Sequence, residues 1–303
     1  MASYIDLRPL PNVNNPRRQH WVSRFYLRWF ATPDTTGKED PDVWLFHKEQ
    51  GDPFRTSITN VAVETFLYSP QTGEAKRDFE TEHKLEKLES VIAPLWKKFA
   101  TNYVDLKDST VRKGIGLFLA TLFHRNPLRM DDQLILQDKI ASRLASHPNT
   151  IKDKLSKEDR QALRGFGNRE ELKEGFVQHL SYASRPTAEQ LIAKRWAIVE
   201  SDNQAFATSD NPIMVLHEDA MLRSLGFFGG TIMVPVSPTR VMFLDENHAE
   251  GDHYYRLKPE TLGAFHAIVL RHAIRFLISS RPTDEVLSEM VALGDELEAQ
   301  DET

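Results

Sequence analysis

Four polar residues near the ends of predicted helices or strands have side chains suited to catalysis. His20 precedes an aromatic-rich helix, Glu82 lies near the start of a long helix, Arg125 ends a buried helix, and Asp210 ends a strand. Imidazole and carboxylate groups can transfer protons near neutral pH, and a guanidinium stabilises developing negative charge. Because pockets are commonly lined where elements end, we hypothesise that these four residues form one polar site.

Each of these residues also has a simpler structural interpretation. A histidine beside an apolar helix can pack without reacting, and a His-Arg pair at a helix C-terminus suits the helix dipole. An Asp before Asn-Pro, such as Asp210, commonly accepts hydrogen bonds from its own turn. A helical Glu often pairs with a neighbouring Lys. A second hypothesis therefore stays open, in which the four residues form a buried polar network that specifies the fold, with Glu82 or Glu89 paired with Arg125.

The segment Arg17–Ala31 must position His20. On a helical wheel of about 3.6 residues per turn, five apolar residues share one face, whereas Leu27 falls on the opposite face with the arginines. Ser23 is predicted to cap the helix, so that His20 lies at its entry, outside the buried stripe. The residues of the stripe are Val22, Phe25, Tyr26, Trp29 and Phe30.

Four further polar residues are candidates for substrate contacts: Gln19, Arg24, Arg28 and Asn211. Together with Arg17 and Arg18, the two arginines could line a local basic groove. The net charge of −6 argues against a broad surface for nucleic acid. We therefore expect a nucleic-acid partner, if there is one, only at this local groove.

Three carboxylates of the predicted helix Asp78–Ala100 suggest a metal site. Glu82, Glu86 and Glu89 fall within an arc of about 60° beside the apolar face. Oxygen ligands with one imidazole suit Mg²⁺ or Mn²⁺, so the candidate ligands are Asp210, Glu82 and Glu86. Glu82 and Glu89 would lie about 10 Å apart along the helix, which ligand bonds of about 2 Å cannot span. A single ion shared by those two residues would therefore be strained.

The elements that carry these residues predict an α+β fold. Hydrophobic spacing indicates helices over Asp78–Ala100 and Gly114–Pro127, the second apolar nearly all round and therefore enclosed. Residues 130–193 are predicted to form a mostly polar helical cover. From Arg195 onward, short apolar runs predict strands, which a hairpin over 43–58 is expected to join. We expect a mostly helical protein with a small, largely antiparallel sheet formed mainly by the C-terminal third.

Length and composition fit one soluble domain. The 303 residues are 40% hydrophobic and 27% charged, which allows a sizeable core. We expect a single domain over 1–303, with an extended lead-in over 1–16 and an acidic helix over 283–303. The absence of cysteine excludes disulfides and cysteine-bound metals. Without a signal peptide or an apolar run of about 20 residues, we expect a cytoplasmic protein with no membrane partner, and an oligomer stays open.

Five short motifs occur in order along the chain. QHxVxxxYLxxF begins at Gln19, VETFLYS at Val63, ExxLxxxE at Glu82, RxP at Arg125 and FxTSDNP at Phe206. Together they resemble a bacterial and viral family of proteins, domain-of-unknown-function family 4238. Ser23 departs from the pattern, because the family usually has proline there. The resemblance implies little about mechanism, because the family has no agreed activity.

Two functions remain open. The first is a hydrolase that cleaves a phosphodiester with a metal ion, in which His20 is a base or ligand, Asp210 and a helical Glu are ligands, and Arg125 stabilises charge. The second is a binding or regulatory protein without catalysis. The sequence lacks GxSxG, HExxH, phosphate-loop and kinase signatures. An enzyme requires that these side chains converge on one open pocket, whereas a structural network gives each a separate buried partner.

Overall fold

The computed structural model describes residues 15–72, 76–132, 134–135, 156, 169–216 and 230–301, with side chains as far as residue 292. The fold is α+β, as predicted, with 45% helix and 23% strand. The predicted lead-in over 1–16 lies outside the described residues except for its last two positions. Much of the predicted helical cover between 133 and 168 also lies outside them.

Three helices form one side of the larger core. They are α2 (Glu80–Thr101), α3 (Ser109–His124) and α4 (Arg169–Ala193), and α3 packs against both of the others. Asp108 caps α3 by accepting a hydrogen bond from the backbone N–H of Thr110 at 2.7 Å. Most of α3 is buried, as its apolar sequence predicts.

A glycine lets α3 approach α4 closely. A Cβ atom on Gly116 would lie 2.7 Å from Cγ1 of Ile192 and 3.5 Å from the carbonyl oxygen of Ala188. A glycine within a helix costs about 1 kcal/mol relative to alanine, so Gly116 contributes to this fold through packing and not through helix propensity.

Strands from both halves of the chain form a four-stranded antiparallel sheet. They are β2 (Asp42–His47), β3 (Pro53–Ser57), β8 (Thr208–Ser209) and β13 (Phe276–Ser279). β2 and β3 form the predicted hairpin, and β13 lies between β2 and β8. The hairpin therefore joins a strand from the end of the chain, as expected.

A five-stranded sheet lies within the second half of the chain. Its strands are β7 (Arg195–Glu200), β9 (Met214–Leu216), β10 (Thr231–Ser237), β11 (Arg240–Asp245) and β12 (His253–Arg256). The order is β12-β7-β11-β10-β9, and all neighbours are antiparallel except β12, which runs parallel to β7.

The first third of the chain contains two further small sheets. β1 (Arg18–His20) pairs with β4 (Val63–Thr65), and β5 (Gln71–Thr72) pairs with β6 (Lys76–Arg77). The prediction of one small sheet formed mainly by the C-terminal third is therefore wrong, because four sheets are spread across the described residues. Strands of two or three residues are too short to show the alternation by which a strand is recognised in a sequence.

The aromatic-rich segment is less regular than the predicted helix. α1 (Arg24–Leu27) is a single turn, and a 3₁₀ turn continues it over Arg28–Phe30. Leu27, which the wheel places on the polar face, is buried, because so short a helix is packed from more than one side. Three residues of the predicted stripe are buried: Val22, Tyr26 and Phe30.

The C-terminal helix packs on the rest of the fold. α5 (Leu262–His272) contacts α6 (Thr283–Asp301), which begins where the acidic helix was expected. Glu289 of α6 accepts hydrogen bonds from Arg281 at 2.8 Å and lies 2.9 Å from Nδ1 of the buried His266. Among the helices described, none combines the length and apolarity needed to cross a membrane.

Candidate functional site

Arg125 is the centre of a buried polar network. It follows α3 and is 3% exposed. Its Nη1 donates to Oε1 of Glu89 at 2.5 Å and to Oγ of Ser23 at 2.9 Å, and its Nη2 donates to the carbonyl oxygen of His20. The hydroxyl of Tyr68 donates to the carbonyl oxygen of Arg125 at 2.6 Å. A buried guanidinium requires such acidic and carbonyl partners. The hydrogen bonds around Arg125 connect residues of four of the five motifs.

Ser23 occupies the predicted capping position, but its hydroxyl does not cap the helix. The hydroxyl instead donates to Oε1 of Glu89 at 2.8 Å and accepts from Arg125. The predicted capping contact is therefore wrong. Hydrogen bonds to charged groups are stronger than neutral ones, and the buried ion pair outcompetes the helix terminus for this hydroxyl.

Gln19 is fully buried and joins the first motif to the second. Its Oε1 accepts from the backbone N–H of Tyr68 at 2.7 Å, and its Nε2 donates to Oγ of Ser69 at 2.6 Å. Both ends of the amide therefore have protein partners, and a substrate contact by Gln19 stays a prediction.

His20 has its own partner, away from the Arg125 side chain. Its Nε2 lies 3.2 Å from the carbonyl oxygen of Thr59. A carbonyl can only accept, so Nε2 carries the proton. Burial lowers the pKa of His20 to about 4, and the charges of Arg24 and Arg125 act in the same direction, while the bond to Thr59 opposes them. A base with this pKa is weak at neutral pH.

Asp210 is fully buried and binds a distant segment instead of its own turn. Its Oδ1 accepts from the backbone N–H of Ile274 at 2.8 Å, and its Oδ2 from that of Arg275 at 2.9 Å. Its carbonyl oxygen accepts from Nε1 of Trp21 at 2.8 Å. Burial raises the pKa of Asp210 to about 6, although the backbone N–H groups act to lower it. Both carboxylate oxygens are therefore engaged by the backbone before β13.

Asn211 joins the FxTSDNP motif to the RxP motif. Its Oδ1 accepts from Nδ2 of Asn126 at 3.0 Å, and its Nδ2 donates to the carbonyl oxygen of His272 at 2.9 Å. Like Gln19, Asn211 uses both ends of its amide within the protein, and a substrate contact by Asn211 stays a prediction.

Glu82 is buried beside the network without a hydrogen bond to its Oε2. Burial is the main cause of its pKa of about 7; the charge of Arg125 acts to lower the pKa, and the charges of Glu89 and Glu86 act to raise it. Glu89 makes the ion pair with Arg125, as one branch of the network hypothesis predicts. The protonation of Glu82 therefore changes near neutral pH.

Arg24 and Arg28 hold a surface loop. Arg24 pairs with Asp40, and Nη1 of Arg28 donates to the carbonyl oxygen of Lys38 at 2.9 Å. Arg18 donates elsewhere, to the carbonyl oxygen of Thr59 at 2.9 Å. These arginines have separate partners, so a shared nucleic-acid groove and substrate contacts by Arg24 and Arg28 remain predictions.

The candidate metal ligands are not assembled around one point. Within the described ranges, no group of three or more His, Cys, Asp or Glu side chains is placed to hold a metal ion. Asp210 binds backbone N–H groups, and Glu82 lies near Arg125. Ligation of Mg²⁺ or Mn²⁺ by Asp210, Glu82 and Glu86 stays a prediction.

An open, charged cleft of about 530 Å³ lies against this network. β4, residues 127–131 after α3, the start of α4 and the segment before β13 contribute to its lining. The cleft was not predicted from the sequence. The available signal was the four-residue spacing of Arg169 and Lys173, which places two cations on one helix face. The charged residues of the lining are Glu64, Asp131, Arg169, Lys173 and Arg275.

The cations of the cleft are incompletely neutralised. Nη2 of Arg169 lies 2.5 Å from Oε1 of Glu64. Nζ of the buried Lys173 donates to the carbonyl oxygen of Phe66 at 2.9 Å but lies 3.9 Å from Glu64, too far for a hydrogen bond. Burial lowers the pKa of Lys173. Burial raises the pKa of Asp131, which also lines the cleft, and the nearby Arg169 acts to lower it.

Asp210 connects the motif residues to the cleft. Trp21, Ile274 and Arg275 line the cleft, and each is hydrogen-bonded to Asp210. His20, Arg125 and Asp210 therefore do not present their side chains to one open pocket. They fix the backbone behind the cleft, each through different partners.

The fold and this site define a class of α+β protein in which short motifs, far apart in sequence, bind one another beneath a charged cleft. The chain belongs to the DUF4238 family of proteins of unknown function, whose family model matches residues 18–283. This match confirms the resemblance drawn from the five motifs. No curated protein and no solved structure matches the chain.

Proposed function

We propose that this protein binds a small polar ligand in the charged cleft and that the motif residues support the cleft without taking part in catalysis. The observation that carries this proposal is the set of hydrogen bonds made by Asp210. Its carboxylate and carbonyl groups bind Ile274, Arg275 and Trp21, three residues that line the cleft. The most specific motif of the sequence thereby shapes the cleft from behind.

The size and lining of the cleft suit a small molecule. Ligand pockets typically have volumes of about 300–1,000 Å³ and combine apolar surface with a few polar groups. This cleft of about 530 Å³ offers the ring of Trp21 and the side chains of Pro127 and Leu128 together with its charged residues. The cleft therefore offers a ligand both apolar contacts and charged groups.

Backbone strain next to the cleft supports the same proposal. Ala62 and Phe66 have φ values of 49° and 54°, a region that non-glycine residues rarely adopt. They flank β4, which contributes Val63, Glu64 and Thr65 to the cleft. Strain of this kind costs about 1–3 kcal/mol per residue and is concentrated at binding and catalytic sites.

Blocking the cleft provides the test. Thr65 is exposed and lines the cleft, so Thr65→Trp should fill it without disturbing the core. Ligand-observed NMR with a library of small metabolites should identify compounds that bind the wild type, lose binding by tenfold or more with Thr65→Trp, and keep it with the matched surface variant Thr36→Trp. A library in which every bound compound is indifferent to Thr65→Trp would contradict the proposal.

The buried environment of Glu82 favours a second candidate function, the hydrolase. A buried carboxyl group with a pKa of about 7 and one unpartnered oxygen is suited to donate or accept a proton. Arg125 and the hydroxyl of Ser23 lie in the same network. In this candidate function Glu82 exchanges protons with a substrate or water, and Arg125 stabilises negative charge.

The hydrolase requires an activity screen with Mg²⁺ or Mn²⁺ against RNA and against single- and double-stranded DNA. If Glu82 is catalytic, cleavage by Glu82→Gln should fall at least 100-fold, while Glu86→Gln on the same helix retains most of it. His20→Ala and Asp210→Asn test the other predicted roles. No cleavage of any substrate, together with no heat of metal binding by calorimetry, would eliminate this candidate.

A further inference from the structure

We infer that the ligand of the cleft carries an oxyanion, a phosphate or carboxylate group, and that Glu64 occupies the place of this group when no ligand is bound. This inference rests on the proposed binding function and names the chemistry of its ligand. It follows from three cations that line the cleft, two of which, Arg169 and Lys173, lie within 4 Å of the Glu64 carboxylate.

The first observation is the incomplete compensation of the Lys173 ammonium group. Its side chain is 5% exposed, yet among the described residues its ammonium group makes one hydrogen bond, to the carbonyl oxygen of Phe66. An ammonium has three donors, and a buried charge without full compensation is costly. An oxyanion within about 3 Å of Nζ would supply the hydrogen-bonded acidic partner that neither Glu64, at 3.9 Å, nor the neighbouring Glu170 provides.

The second observation is the position of Arg275. Its backbone N–H is fixed by Asp210, and its exposed side chain lines the cleft. Its guanidinium has no hydrogen-bond or ion-pair partner within the ranges that the structure describes. An arginine held at its backbone and unpaired at its tip can form a bidentate bond to a phosphate or carboxylate.

The balance of charge points in the same direction. The cleft contains three cations and two carboxylates, so it is locally positive in a chain of net charge −6. Glu64 is 27% exposed and pairs with Arg169, which is 69% exposed. Exposed ion pairs contribute little stability, so an incoming anion can displace Glu64 from Arg169 at low cost. Asp131 lies near Arg169 and would favour a ligand that also carries a donor group.

The test compares the affinities of anions for the wild type and for Glu64→Gln. Dissociation constants for pyrophosphate, inorganic phosphate and succinate should be measured at low ionic strength by tryptophan fluorescence, since Trp21 lines the cleft. Removal of one negative charge beside a bound anion should tighten binding about tenfold. A gain of affinity cannot result from misfolding. Preference for pyrophosphate or for succinate distinguishes a phosphate ligand from a carboxylate ligand.

Two further variants complete the test. Arg169→Gln, at an exposed position, should weaken anion binding about tenfold, and Glu189→Gln, which removes a carboxylate from another exposed ion pair, should change nothing. If Glu64→Gln binds every anion no more tightly than the wild type, the inference is wrong. If neutral compounds bind in a manner sensitive to Thr65→Trp while no anion does, the cleft remains a binding site and only the oxyanion assignment fails.

Discussion

At the scale of single residues, burial decides what each polar side chain does. Arg125 and Glu89 neutralise each other in the interior, and removing one partner of such a pair typically costs about 3–5 kcal/mol. His20 and Glu82, in contrast, are pushed toward their neutral forms, because burial lowers the pKa of the histidine and raises that of the carboxyl group. Residue type alone does not distinguish these two outcomes.

Glu82 should make the stability of the protein depend on pH. Its pKa is about 7 in the folded state against 4.5 for an ordinary Glu, so the unfolded state loses its proton first as the pH rises. The free energy of unfolding should therefore fall between about pH 4.5 and pH 7. Glu82→Gln removes this term, and the variant should match the wild type at pH 4.5 and exceed it by about 2–3 kcal/mol at pH 7.5.

Urea denaturation at several pH values measures this difference. The exposed Glu260→Gln controls for the loss of one negative charge and should run parallel to the wild type. His20 has the opposite effect, because its lowered pKa makes folding less favourable as the pH falls from about 6.5 to 4. This contribution of His20 is the same in the wild type and in Glu82→Gln, so it cancels in the comparison. A constant difference between Glu82→Gln and the wild type across the pH range would show that the carboxyl group ionises normally.

At the scale of elements, close approach matters as much as hydrophobic pattern. α3 and α4 are both recognisable as helices, but their separation depends on Gly116, where a Cβ atom would meet Ile192 at 2.7 Å. Backbone geometry also matters at β4. This short strand lies between Ala62 and Phe66 and places Glu64 in the lining of the cleft.

Gly116→Val should destabilise the protein by about 1–3 kcal/mol, the usual cost of overpacking a core. The added side chain cannot be accommodated without moving Ile192 or the helix backbone. Gly37→Val is the matched control, because a Cβ atom there meets nothing within 4 Å, and its effect should stay within about 0.5 kcal/mol. Midpoints of chemical denaturation with unchanged m-values would measure both effects, and equal stabilities for the two variants would refute this view of the α3–α4 contact.

At the scale of the whole molecule, the first and last parts of the chain are held together by a few long-range bonds. Trp21 donates to Asp210 across 189 residues, and the hydroxyl of Tyr26 lies 2.7 Å from that of Thr208 across 182 residues. β2 pairs with β13 over a comparable separation. The cleft exists only because these distant segments meet, since its lining runs from Trp21 to Arg275.

The sequence by itself determined the α+β class, the long helices, most of the later strands and the family. Each of these depends on local signals, such as hydrophobic period, or on ordered motifs that can be read along the chain. It also raised the pairing of Arg125 with Glu82 or Glu89, and the structure contains the pair with Glu89.

Only the tertiary structure decided which polar groups pair and where a ligand could bind. Glu89 and Glu82 share a helix face, yet one forms the ion pair with Arg125 and the other is left with an unpartnered oxygen. The short strands β1 and β4 and the cleft depend on segments that are far apart in sequence. Their pairing is set by packing and by the burial of charge, neither of which leaves a periodic pattern in the chain.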